Sequence, residues 1–304
     1  MRPFLSVYGH ISVDQILSLA EFPQMNTSVD VLSKRTSLGG TGANIAVVAA
    51  SLGVPTAVCG FVGNDFPRKY EDMMRSKGLI MDELVKVEME TSQAIVVNDS
   101  RLDQKVLFFQ GPQGYATQQD RLLKSNAEQS KYVHFCTGEP RYYIQVMKAI
   151  EGSGAKIGLD PAQEVHRIWN AELFNEAYRY SDMLFCNQHE AKSVMYYLGV
   201  DSFADADFPL IVCTQGSDGC NVYIDGKPTH FPIVESKGVV DATGAGDSFR
   251  AGFYAGLYRG MSVEESIITA AATSSFIVES VGALTNVPTW DMVMERADPL
   301  LSKV

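Results

Sequence analysis

The run Asp241-Ala242-Thr243-Gly244-Ala245-Gly246-Asp247-Ser248-Phe249 follows a strand-like stretch ending at Val239-Val240. It precedes an apolar-periodic segment, residues 249–257, with the spacing of a helix. A Gly-Ala-Gly turn that opens a helix leaves the amides of Gly244, Ala245 and Gly246 pointing outward. Together with the positive end of the helix dipole they form an anion site. Asp247 closes the turn, and a carboxylate beside an anion site is electrostatically unfavourable unless it has a task. The task that fits is to take the proton of a hydroxyl while its oxygen attacks a phosphoryl group held by the amides. Glycine turns that serve only the backbone are common, but the combination of Asp, Thr, three small residues and Asp favours chemistry. No Gly-Lys-Ser/Thr follows, so this is not a Walker loop. It lies too late in the chain for a dinucleotide fingerprint.

Outward from this turn, strand-like and helix-like patterns alternate. Residues 4–9, 56–62, 132–136, 156–159, 183–186 and 210–213 read as strands, and 43–52, 66–76, 142–151 and 189–197 as helices. Alternation of this kind predicts a doubly wound α/β fold: a mostly parallel sheet, helices on both faces, and ligands beyond the carboxyl ends of the strands. Two stretches interrupt it. Residues 12–38 are polar and strand-like, with Pro23 as punctuation. Residues 88–110 hold two β-rich runs, 94–98 and 105–109, around a turn at 99–103. They predict a small antiparallel sheet, either a surface hairpin or a lid, and its place beside the candidate substrate residues favours the lid. Ile95 and Val97 share one face of it, on which a flat ligand could pack beside Phe108 or Phe109. An apolar face there could equally pair with a second copy, giving a homodimer through the lid.

The chain has 304 residues, 46% hydrophobic and 20% charged, with a formal net charge of −11. That charge argues against a nucleic-acid partner, though not against a nucleotide, whose phosphates backbone dipoles and Mg²⁺ can hold. Cys59, Cys136, Cys186, Cys213 and Cys220 show no Cys-x-x-Cys spacing and read as small buried hydrophobes in a reducing cytoplasm. The N-terminus turns polar too quickly for a signal peptide, and no apolar run reaches the length of a membrane span. His10, His134, His166, His189 and His230 lack metal-ligand spacing.

A second glycine-rich run, Gly39-Gly40-Thr41-Gly42-Ala43-Asn44-Ile45-Ala46, continues to Leu52-Gly53. With residues 241–249 it resembles, in order and position, the two signatures of the ribokinase-like (PfkB) family of carbohydrate and nucleoside kinases. Gly9-His10-Ile11-Ser12-Val13-Asp14, Phe22-Pro23-Gln24-Met25-Asn26-Thr27-Ser28 and Asn286-Val287-Pro288-Thr289-Trp290 are most similar to the archaeal nucleoside kinases. The resemblance implies one kinase domain over residues 1–304, with lid segments 12–38 and 88–110. It implies ATP- and Mg²⁺-dependent phosphorylation of the 5′-hydroxyl of a ribonucleoside, with Asp247 as base. Asp14, Gly39, Gly40 and Asn44 would hold the ribose. Asn187 and Glu190 would lie near the ATP phosphates, Glu190 holding Mg²⁺ through water. Thr214, Gly216 and Gly219 would face the nucleotide. A monovalent cation such as K⁺ would sit near Asp241, Thr243 and residues 275–282. Gln215 stands where relatives often carry Lys, and Ala242 where many carry Thr.

These residues also have structural readings. Asp14 could cap a turn. The glycines of 39–42 could serve tight helix–strand packing, whereas Asn44 among Ala43, Ile45 and Ala46 needs a polar partner. Asn187-x-x-Glu190 has the spacing of a capping box, a role compatible with the other. Residues 214–219 suffice as a hairpin turn into 220–224. Asp160-Pro161 either lies near the transferred phosphate or stops a strand, and His10 either contacts ligand or is a satisfied turn residue. A kinase for free sugars is the alternative of the same class. Sugar phosphates would need basic residues, and residues 88–110 offer few, Arg101 and Lys105. A non-catalytic ligand-binding protein is disfavoured by Asp247, and an NAD-dependent oxidoreductase by the lack of an early Gly-x-Gly-x-x-Gly.

Overall fold

The computed structural model describes residues 2–101 and 103–303; Leu102, within the turn expected at 99–103, lies outside the described residues, as do Met1 and Val304. In chain order the strands are β1 (Leu5–Tyr8), β2 (Ser12–Leu19), β3 (Val31–Gly39), β4 (Thr56–Gly63), β5 (Leu84–Val87), β6 (Gln93–Asn98), β7 (Gln104–Phe109), β8 (Tyr132–Phe135), β9 (Lys156–Leu159), β10 (Met183–Asn187), β11 (Leu210–Thr214), β12 (Cys220–Ile224) and β13 (Lys227–Phe231). The helices are α1 (Thr41–Ser51), α2 (Arg68–Ser76), α3 (Pro140–Ala149), α4 (Ala171–Tyr178), α5 (Gln188–Leu198), α6 (Ala245–Tyr258), α7 (Val263–Ile277) and α8 (Trp290–Leu301).

The large sheet has the order β13-β12-β11-β10-β9-β8-β1-β4-β5. From β11 to β5 neighbouring strands are parallel, while β12 and β13 add an antiparallel end. Side-chain alternation explains why both faces are covered. In the fully buried β4, Val58 and Val62 join one core with residues of α1, α6, α7 and α8. Ala57, Cys59 and Phe61 join the other, with α3, α4 and α5. The chain runs from β1 to β4 on one side and later to β8 on the other. The strand order therefore reverses at β1, and a crevice opens beyond its carboxyl end, at Gly9 and His10.

The second sheet, β3-β2-β6-β7, is built from the two interrupting stretches. It is mixed and not purely antiparallel: β2 and β6 leave the core side by side in the same direction, so their shared pairing is parallel. Register also corrects the expected face. Asp14 pairs with Ala94 and Ala94 with Phe108, so the Asp14 side carries Ile16, Val96 and Phe108. Ile95, Val97, Leu107 and Phe109 lie on the opposite face, because a one-residue step along a strand reverses the side. Of the two aromatic alternatives, Phe108 shares the Asp14 side.

Two local expectations differ. Val239 and Val240 form no strand; both are exposed in an irregular segment that meets no sheet edge, tied by the Val240 amide to the Val278 carbonyl at 2.7 Å. The following helix starts at Ala245, ahead of the apolar periodicity, because the Gly244 turn places the first helical residue there. Among the described residues no helix is long and apolar enough to cross a membrane.

Candidate active site

Two glycine-rich helix starts converge beyond β1. Helix α1 begins after Gly40, and its buried Asn44 points Nδ2 at Asp247 Oδ2 on the first turn of α6, 2.7 Å away. This is the partner that a polar residue in an apolar helix requires. Asn44 Oδ1 remains buried with no partner among the described residues, an acceptor free for a ligand hydroxyl. Burial pushes the Asp247 carboxyl up to about 6; the Asn44 donor and the Arg250 charge oppose that rise, and Asp160 and Asp14 add to it. A carboxylate with this value is ionised at neutral pH and more basic than a surface Asp, as a proton acceptor should be.

Asp14 lies within β2, not in a turn, and its Oδ1 accepts a 2.6 Å hydrogen bond from the Ser12 hydroxyl. Burial raises its pKa, against that hydrogen bond. Gly39, which pairs with Ser12 on the neighbouring β3, explains itself here: a Cβ would overlap the Asp14 carboxylate. The first glycine-rich run therefore makes room for a carboxylate as well as packing a helix.

At the second run, Gly244 adopts φ 78° with Ala283 against it, so a side chain is excluded on both counts. The Ala245 amide is spent on the Ala242 carbonyl at 3.1 Å. This corrects the expected donor set: among the described residues the amides of Gly244, Gly246 and Asp247 find no protein acceptor. Asp241 receives the amides of Thr243 at 2.9 Å and Gly282 at 2.8 Å. Burial would raise its pKa, but these amides outweigh that and hold it below the usual range.

The anion turn opens into a cavity of about 710 Å³ that Asn187, Glu190, Thr214, Gly216 and Gly219 also line. Asn187 and Glu190 do form the capping box of α5, with the Asn187 amide donating to Glu190 Oε2 at 2.8 Å. Residues 214–219 do turn β11 into β12. Each structural role coexists with a place on the cavity wall. Burial, then the Asp160 charge, pushes Glu190 up to about 7, with Arg250 opposing.

Arg250 also belongs to the site, though no motif in the sequence marks it. It is buried, and its Nε donates to Asp160 Oδ2 at 2.8 Å. Burial would raise the Asp160 pKa, but Arg250 and then His134 hold it low. Asp160 thus does more than end β9. The available signal was a single Arg inside the apolar run Phe249 to Phe253, one helical turn after Asp247. His10, for which the sequence left a ligand contact or a satisfied turn open, sits by the lid. His10 Nδ1 shares a 2.9 Å hydrogen bond with Thr137, and its ring meets Phe108 edge-on at 4.9 Å. Burial lowers its pKa to about 4, so it is neutral. Nearby Glu164 accepts from the Gly138 amide at 2.6 Å, and burial lifts it to about 7.

A profile of the pfkB family carbohydrate kinases matches residues 2–290. A nucleoside kinase of Methanocaldococcus jannaschii is 33% identical over 298 residues, 97% of this chain and 96% of that protein. One from Methanothermobacter thermautotrophicus is 33% identical over 300 residues, 97% and 95% of the two chains. The crystal structure of the M. jannaschii nucleoside kinase, an archaeal member of the ribokinase family, superposes with a TM-score of 0.88 at 30% identity, covering 98% of this chain and 99% of that one.

Proposed function

The chain belongs to the pfkB family of carbohydrate kinases and has the ribokinase-like fold, and from that premise we propose that it moves the γ-phosphoryl group of ATP to the 5′-hydroxyl of a ribonucleoside. It is a phosphotransferase with an alcohol acceptor. The observation that carries the nucleoside reading is that two carboxylates serve one site, Asp247 held by Asn44 and Asp14 near enough for its charge to raise Asp247. Asp247 faces the anion turn, and Asp14 lies on the lid side, where it can accept two ribose hydroxyls.

In the reaction the 5′-oxygen gives its proton to Asp247 as it bonds to the γ-phosphorus. The bond from that phosphorus to the β,γ-bridging oxygen breaks, and its electron pair leaves with ADP. The free amides of Gly244, Gly246 and Asp247 receive the charge on the transferring oxygens. The cavity fits Mg²⁺ bound through water. Glu190 is held by Asn187 yet keeps lone pairs, and Mg²⁺ accepts sparse carboxylate contact. When bound, Mg²⁺ supplies charge neutralisation on the phosphates. A monovalent cation such as K⁺ fits the ionised Asp241 beside Thr243.

The rest of the reading follows the same lines. Residues 12–38 and 88–110 act as the lid of a single kinase domain, with the base packing on the Ile16, Val96 and Phe108 side. The outer face, with Leu107 and Phe109 exposed, suits a homodimer. Five free buried cysteines suit a reducing cytoplasm. The two cations of residues 88–110 are both engaged, Arg101 with Asp99 at 3.2 Å and Lys105 over the Phe22 ring at 4.4 Å, which leaves neither of them free for a sugar phosphate. The test is a panel of nucleosides, ribose and fructose 6-phosphate with ATP and Mg²⁺, detecting ADP. Ribonucleosides should turn over fastest; ribose or fructose 6-phosphate outrunning every nucleoside would overturn the reading.

A further inference from the structure

We propose that Arg250 is a catalytic residue, the fixed cation that touches the transferring phosphoryl group, and that Asp160 is the positioning residue that aims it. The inference rests on the kinase reading above. The cavity that would receive ATP is lined by three carboxylates, Asp160, Glu190 and Asp247, and Arg250 is the only Lys or Arg among its described lining residues. In a chain of net charge −11, a polyphosphate entering this space meets one guanidinium and no other permanent protein cation.

The geometry leaves that guanidinium partly unspent. Nε donates to Asp160 Oδ2 at 2.8 Å, Nη2 to Asp160 Oδ1 at 3.4 Å and Nη1 to the Gly246 carbonyl at 3.4 Å. Three of five N–H groups are engaged, which leaves one donor on each Nη. Arg250 follows Asp247 by three residues on α6, so both side chains lie on one helix face, above the turn whose amides are free. Its other neighbours hold the group still. The Phe185 ring lies 5.6 Å from Cζ, and Asp160 is itself approached by His134 Nε2 at 3.5 Å, whose Nδ1 pairs with Tyr254 at 3.0 Å. A buried, pre-aimed guanidinium needs no rearrangement when charge develops on the phosphoryl oxygens.

The competing role is that of a counter-ion, with Arg250 present only to neutralise Asp160. Removing one partner of a buried pair risks unfolding, whereas replacing both is tolerated. The test is therefore the double variant Asp160→Asn/Arg250→Gln alongside each single variant, assayed with the best nucleoside from the panel. If Arg250 touches the phosphoryl group, the double variant should melt close to wild type. Its kcat should fall by about 10²–10³-fold, the loss typical of one transition-state donor. Its nucleoside KM should stay within about threefold, because nothing in the nucleoside site has changed. Fluoroaluminate, which mimics the phosphoryl group in flight, should tighten ADP binding by wild type and not by the double variant. A double variant that turns over within about threefold of wild type, or that still tightens on ADP with fluoroaluminate, overturns the proposal. A wild-type chain that phosphorylates no nucleoside would instead refute the kinase substrate reading, so the two failures are distinct.

Discussion

Asn44 and Asp247 are separated by 203 positions in sequence and by 2.7 Å in space, Nδ2 to Oδ2. The contact joins the two glycine-rich runs into one site and places a hydrogen-bond donor on the carboxylate proposed as the proton acceptor. A donor to the ionised form favours it, opposing the burial that raises Asp247 to about 6. Removing the donor should therefore raise the pKa further. In Asn44→Ala, the acid limb of kcat/KM should move upward from about 6, so the variant loses more activity at pH 6 than at pH 8. A pH profile with an unmoved acid limb would show that Asn44 does not tune the base.

Asp247→Asn should lower kcat by about 10²–10⁴-fold, the range for loss of a general base, with a much smaller change in nucleoside affinity. The same substitution has a stability signature. Because the folded carboxyl titrates at about 6, above its ordinary value of 3.8, its contribution is fully present below the lower value and is lost as pH rises through the higher. Asn carries no charge to desolvate. Melting temperatures should thus favour the variant over wild type more at pH 8 than at pH 4; an equal difference at both would contradict the buried-carboxylate picture.

Gly39→Ala should displace Asp14, whose carboxylate occupies the space a Cβ would take. Nucleoside KM should rise with a smaller effect on kcat, since Asp247 is untouched. Wild type should also discriminate strongly against 2′-deoxynucleosides, by roughly 10⁴-fold in the strongest cases of a hydroxyl-binding site. Equal kcat/KM for ribo- and deoxyribonucleosides would remove Asp14 from the ribose site.

Lid closure and lid pairing can be separated by hydrogen exchange. If the Ile16, Val96 and Phe108 side closes on a nucleoside, amides of β6 and β7 should gain protection on adding ligand at a concentration where the chain is monomeric. Protection that tracks protein concentration and ignores nucleoside would assign the sheet to assembly through Leu107 and Phe109 instead.

Much of this protein could be read along the chain because it depends on local chemistry. The turns at 39–44 and 241–247, the capping box at Asn187 and Glu190, and the alternation behind the large sheet are set by near neighbours, and each stands where its residues imply. Even Arg250 left a trace, as a lone charge in an apolar helix. What only the tertiary structure decided concerns partners and faces. That Asp160 would meet Arg250, 90 positions away, and that Asn44 would meet Asp247 follow from how helices α1 and α6 pack beside the strand ends. Which side chains share the Asp14 face of the small sheet turned on whether β2 pairs with β6 at Asp14 and Ala94 or one residue along, and a period-two pattern fits both registers until the strands are paired. The Ala245 amide was lost to the anion site because the turn bent back to Ala242, a choice of backbone dihedral that the order of small residues does not dictate.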